Sequence, residues 1–217
     1  SWIGRAITRN GSLTCEKKQK IFPEEVQAWQ ISGTPTDCVN IALSHLIKDP
    51  PEIVVSGINI GFNTAEVLIL SSGTIAGAIE GSLWGYPSIA FSQAMDEKNY
   101  LSIREKNTLT KAFMKSVKFS AKKACEITLR TLRNPLDENV ILNVNFPPKV
   151  NSATKTKKTF PAKVKLGSLF EKLPKNKFRF KYSDGININQ NKNSDRFALN
   201  NGYISISHLN FTKSNKK

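Results

Sequence analysis

Residues 52–92 read EIVVSGINIGFNTAEVLILSSGTIAGAIEGSLWGYPSIAFS, and this stretch decides the fold. Ile53-Val54-Val55 is a short continuous apolar run, the pattern of a central parallel strand covered on both faces. A loop crowded with Gly, Asn and Ser follows. Thr74 to Leu83, rich in Ala, Gly and Ile, then reads as a helix that packs closely on a sheet, and Pro87 to Phe91 as the next buried strand. A loop of that composition at the exit of a buried strand is where α/β proteins usually place an anion or a metal.

The flanks extend the same alternation. Downstream, Lys106 to Arg133 predicts a long amphipathic helix with Leu109, Phe113, Val117, Ala121, Ala124 and Leu132 on its inner side. Val140 to Val144 follows as a strand, ended by Phe146-Pro147-Pro148. Upstream, Thr34 is placed to cap a helix whose first residue is Pro35. Cys38, Ile41, Ala42, His45 and Leu46 would form its buried face, and it stops before Asp49-Pro50-Pro51. Asn10-Gly11 between Arg5–Thr8 and Ser12–Cys15 predicts a hairpin. Strand–helix–strand–helix–strand alternation implies an α/β fold with a parallel sheet. From Asn151 the character changes. Phe178 to Tyr182 alternates like an exposed strand and Tyr203 to Ser207 like a final one, with a frayed tail at Lys213 to Lys217. Residues 1–150 are therefore read as the α/β core. Residues 151–217 are read as a β-rich arm and C-terminal strand of the same domain.

The bulk composition sets limits. With 217 residues and a hydrophobic fraction of 39%, the chain can bury one substantial core. No apolar run approaches the roughly 20 residues of a membrane-spanning helix. Cys15, Cys38 and Cys125 are odd in number and far apart, which argues against a disulfide framework and for a cytoplasmic setting. The formal charge of +15, from 32 Lys+Arg against 17 Asp+Glu, admits a polyanionic partner. Lys dominates, is widely spread and has no RNA-binding aromatic signature beside it, so a solvated basic surface is favoured over nucleic-acid binding. The chain starts in mid-pattern and without Met, so a preceding segment is expected.

Two loops are candidates for chemistry. Ser56-Gly57-Ile58-Asn59-Ile60-Gly61-Phe62-Asn63 sets two Asn among Gly residues after a strand. An Asn amide oxygen can ligate a hard cation and its NH2 can donate to a phosphate, but a turn in which both Asn satisfy local backbone fits equally. Ser71-Ser72-Gly73-Thr74 precedes a helix and offers hydroxyls and free N–H groups to an anion, or else a plain cap. No Ser-His-Asp triad is evident. His45 reads as a core histidine, His208 as structural or at a rim, and Asp37 as a cap.

Taken together these motifs resemble the SurE family of metal-dependent 5′/3′-nucleotidases. The matching stretches are Ser32 to Val39, Val54 to Asn59, Ser72-Gly73-Thr74, Glu80-Gly81, Gly85 to Ala90, Asn143 to Pro147 and Gly202 to Ile206, in family order. The resemblance implies a Rossmann-like three-layer fold with a mainly parallel sheet and a β-hairpin arm used in forming a homodimer or homotetramer. It implies hydrolysis of nucleoside monophosphates with a divalent metal, Mg or Mn. By residue matching, Ser1 and Asn59 would be metal ligands, Asn59 and Asn63 catalytic, and Asn63, Ser72, Gly73 and Thr74 would hold the phosphate. The sequence departs from the family in two ways. It lacks the Asp-Asp pair and the strand and helix that carry it, and between Asn63 and Ser72 it has one extra residue, no Gly, and Ser71 where Tyr is usual. The rival reading is a non-catalytic nucleotide- or nucleic-acid-binding relative that lacks the acidic metal ligands.

Overall fold

The computed structural model describes residues 4–106, 108–181, 183, 185–187 and 191–211. Strands β1 (Cys15–Lys17) and β2 (Trp29–Ile31) pair antiparallel before helix α1 (Pro35–Ile41). Thr34 caps α1 in a capping box with Asp37, and Pro35 sits in its first turn, as the residue types dictate. Strand β3 (Val54–Ile60) leads through the Gly/Asn loop and a short helix α2 (Glu66–Leu70) into α3 (Gly73–Leu83). Then come β4 (Ser88–Gln93), α4 (Glu97–Lys106), α5 (Lys111–Arg133) and β5 (Val140–Phe146). The remainder is β6 (Thr156–Thr159), β7 (Val164–Lys165), the hairpin β8 (Phe170–Leu173) and β9 (Lys177–Phe180), β10 (Ile186–Asn187), α6 (Asp195–Asn200) and β11 (Ile204–Asn210).

The central sheet has the order β3-β4-β5-β11-β6. β3, β4 and β5 are mutually parallel, β11 runs antiparallel to β5, and β6 is parallel to β11. Alternation along the strands assigns the two faces. Ala90 and Ile141 pack with Ile75 and Ala78 of α3, whereas Ile89, Phe91, Leu142 and Val144 pack with Ala124, Phe119 and Ile127 of α5. Helices thus cover both faces in three layers. Phe91 and Phe146 stack at 6.0 Å in the larger cluster, and each contributes about 1.5–3 kcal/mol by full burial.

Close approach of α3 to the sheet needs glycine. A Cβ on Gly81 would stand 2.6 Å from Val54 Cβ, and one on Gly57, whose φ is +116°, would stand 2.2 Å from the Phe91 carbonyl oxygen.

Several expectations are corrected. Arg5–Thr8 and Ser12–Cys15 do not pair as a hairpin, although Gly11 adopts a positive φ. Their polar groups find stronger partners: Thr8 donates from its N–H and hydroxyl to Asp37, and Thr14 N–H donates to Ser32 Oγ. His45 is exposed rather than in the core, because α1 gives way to a π-helical turn at Ala42–Leu46 whose wider repeat rotates the face. β3 lies at the edge of the sheet among the described residues and is not covered on both faces; Val55 is 46% exposed. The helix drawn over Lys106 to Arg133 is interrupted, and α5 starts after the cap Thr110. Its inner face carries Phe113, Ser116, Ser120, Ala124 and Thr131, with Ala121 exposed, because the small hydroxyls satisfy groups at the strand ends: Ser116 donates to Pro148 O and Ser120 to Gln93. The 213–217 tail lies outside the described residues.

Candidate active site

The candidate loops lie at the C-terminal ends of β3, β4 and β5, where an open α/β sheet presents its crevice. Asn59 lies opposite Ser92, and Ser92 opposite Asn145, so three polar residues form one row across three strands. Ser92, Asn143 and Asn145 are fully buried, which side chains of this polarity tolerate only with partners. Their partner is Asn63. Its N–H donates to Asn145 Oδ1 at 2.7 Å, and its carbonyl accepts from Asn143 Nδ2 at 2.8 Å and Asn145 Nδ2 at 3.1 Å. Asn63 Nδ2 donates to Ser92 Oγ at 2.5 Å. This lattice pins the loop after β3. One amide hydrogen of Asn63 is thereby engaged and the second has no acceptor among the described residues.

At the start of α3, Ser72 Oγ accepts from Ile75 N–H at 3.1 Å, and its own hydrogen has no acceptor among the described residues. The N–H groups of Gly73 and Thr74, in the first turn, have no acceptor among the described residues. Asn59, Asn63, Ser71 and Ser72 all line one cavity of about 950 Å³. Gly73 and Thr74 are not among its lining residues; they follow Ser72 in the first turn of α3. Ser1 lies outside the described residues. Gly4 N–H donates to Ser71 O at 2.9 Å, so the segment near the chain start runs beside this loop.

Glu80 anchors that segment. Buried on α3, it accepts from Arg5 Nη2 at 2.7 Å, Asn40 Nδ2 at 3.0 Å and Trp84 Nε1 at 3.1 Å. Burial opposes its ionisation, but the three donors outweigh burial and hold its carboxyl below the ordinary value. Asp37 behaves alike: burial is outweighed by hydrogen bonds from Thr8 and Thr34. Its role is to tie α1 to residues 4–8. His208 is exposed on β11 opposite Leu142 and is not among the residues lining the cavity.

The same cavity is lined by Met95, Asp96, Glu97 and Tyr100, which the sequence reading did not single out. Nor did it assign roles to Ser92, Asn143 and Asn145. Their signal was legible: Asn at alternate positions of an apolar strand places two amides on one face, where each must find a buried partner.

A divalent metal tests poorly against the described residues. Asn59 offers one neutral oxygen, and no group of three or more His, Cys, Asp or Glu among the described residues could hold an ion. Hard dications take six or more oxygens, carboxylates prominent among them. Asp96 does line the cavity, but its Oδ1 already accepts from Asn99 N–H and Nδ2. The described residues do not by themselves build a metal site. Among them, no helix is long and apolar enough to cross a membrane.

Comparison with known proteins agrees with the geometry. The family model described as "Survival protein SurE" matches residues 1–168. The 5′-nucleotidase SurE of a Nostoc species is 31% identical over 97% of this chain and 78% of its own length. That of Flavobacterium johnsoniae is 34% identical over 97% of this chain and 76% of its own. The crystal structure of the Sure protein from Aquifex aeolicus superposes with a TM-score of 0.73 at 27% identity, covering 98% of this chain and 79% of that one. With the family model matching most of its length and relatives above 30% identity over nearly all of it, the chain belongs to the SurE family.

Proposed function

We propose that the chain hydrolyses nucleoside monophosphates, at the 5′ or 3′ position, to nucleoside and inorganic phosphate. The observation that carries this reading is the convergence of Asn59, Asn63 and Ser72 on one cavity beside the unbonded N–H groups of a helix N-terminus. The phosphate lodges against the first turn of α3, where the helix dipole and free N–H groups favour an anion. Ser72 donates its hydroxyl hydrogen, Gly73 and Thr74 their N–H groups, and Asn63 its second amide hydrogen. These donors are fixed before substrate arrives, so they stabilise the charge that builds on the phosphoryl oxygens without reorganising. Water attacks phosphorus, the P–O ester bond breaks, and the departing oxygen takes up a proton. The names of the Nostoc and Flavobacterium johnsoniae relatives support a nucleotidase.

Dependence on a divalent cation, Mg or Mn, is part of the proposal. Asn59 would give it a neutral oxygen, and further ligands would have to come from outside the described residues. A cytoplasmic setting and a homodimer or homotetramer belong to the same reading. Free Cys15, Cys38 and Cys125 support the first. The hairpin β8–β9, with Phe170 57% and Phe178 63% exposed, supports the second.

The test is phosphate release by the complete protein from 5′- and 3′-AMP with Mn2+. Release that stops on chelation and returns with Mn2+ is expected. Tight nucleotide binding without any release would favour the non-catalytic relative.

A further inference from the structure

The cavity is lined by two chemically different sets of residues. One holds the donors for phosphate. The other is the segment Met95–Tyr100, with an aromatic ring and two carboxylates, Asp96 and Glu97. Tyr100 is 55% exposed, yet it does not sit on a loose loop. Its N–H donates to Asp96 O at 3.0 Å in the first turn of α4. Asp96 Oδ1 accepts from Asn99 N–H at 2.9 Å and from Asn99 Nδ2 at 2.6 Å. Asn99, itself buried, accepts at Oδ1 from Thr110 Oγ1 at 2.7 Å, which ties the turn to the cap of α5. Asp96 Oδ2 has no hydrogen bond among the described residues. These residues thus offer an aromatic ring carried on a hydrogen-bonded helical turn and a carboxylate oxygen with acceptor capacity to spare.

Two carboxylates repel phosphate, so a ligand's anionic end belongs at Ser72 and a neutral, donor-bearing, flat end belongs here. A nucleoside has that chemistry: a π-face for the ring and hydroxyls for the carboxylate. We propose that the nucleobase stacks on Tyr100 while Asp96 Oδ2 accepts a ribose hydroxyl hydrogen, making these two residues the determinants that select nucleotides over small phosphate esters. This rests on the phosphate-binding reading above.

The experiment compares kcat and KM of the complete protein, with Mn2+, for AMP and for glycerol 2-phosphate, which has no ring. Base–aromatic stacking predicts that Tyr100→Ala lowers the AMP to glycerol 2-phosphate ratio of kcat/KM about tenfold or more, chiefly through KM for AMP. Tyr100→Phe keeps the π-face and should restore the ratio, and inhibition by adenosine should weaken about tenfold in Tyr100→Ala alone. An unchanged ratio in Tyr100→Ala, or an equal loss on both esters, overturns the assignment while leaving phosphoester hydrolysis standing. Release from neither ester by the unsubstituted protein overturns the hydrolase reading and this inference with it.

Discussion

Asn145 grips both ends of one peptide unit pair at Asn63: its Oδ1 accepts the Asn63 N–H at 2.7 Å and its Nδ2 donates to the Asn63 carbonyl at 3.1 Å. A side chain here does what a neighbouring strand would do, and it fixes the loop where β3 ends. Asn145→Ala would leave a buried N–H unpaired, because only the carbonyl retains a second partner in Asn143. The expected loss is about 2–4 kcal/mol in urea unfolding. A loss below 0.5 kcal/mol, to take roughly the scatter of surface substitutions, would show that the loop does not depend on it.

Ser72 has two duties that can be separated. As N-cap of α3, its replacement by Ala should cost about 1 kcal/mol, and by Gly only a few tenths. As a phosphate donor, either replacement should lower kcat/KM for AMP by about 100-fold. Thermal melts beside the kinetics distinguish the two duties. Ser72→Gly with near-normal stability and normal activity would remove Ser72 from the phosphate site.

Acid should act through Glu80 and Asp37. Both carboxyls are held below their ordinary values of 4.5 and 3.8 in the folded chain. The unfolded chain therefore binds protons first as pH falls, so the stabilisation is complete above the ordinary values and is lost as pH drops through the lower, folded ones. Glu80→Gln should be less stable than the unsubstituted chain by about 1–2 kcal/mol at pH 7. That gap should narrow below about pH 4.5, measured by urea midpoints across pH. A gap that widens in acid would contradict the assignment.

Glycine replacements should differ sharply. Gly57→Ala drives a Cβ to 2.2 Å from the Phe91 carbonyl oxygen at φ +116°, whereas Gly202→Ala, at φ +76°, meets nothing within 4 Å. The first should cost more than about 3 kcal/mol and the second about 1 kcal/mol, read from melting curves. Equal costs would mean that β3 can shift away from β4.

The parts of the fold that the sequence carried best are those set by local pattern. Thr34 and Pro35 mark a helix start by their own chemistry, and the alternation of apolar runs yields the parallel strands β3, β4 and β5. The loops that line the cavity stood out in the sequence because Gly, Asn and Ser cluster where strands end. What local pattern could not give was decided by distant partners. Thr8 leaves the expected hairpin for Asp37, 29 positions away, and β3 looks central by composition yet lies at the described sheet's edge. Tyr100 was invisible because one exposed aromatic in a charged segment has no periodic signature. Only the tertiary fold sets it beside the residues after β3 in one cavity lining.

Placement of the reaction at this cavity is tested by phosphate release from AMP by Asn59→Ala beside the unsubstituted complete protein, both with Mn2+ and both shown by melting to be folded. A kcat/KM at least about 100-fold lower is expected in Asn59→Ala at matched stability. Full activity in that variant would contradict the placement of the reaction at this cavity.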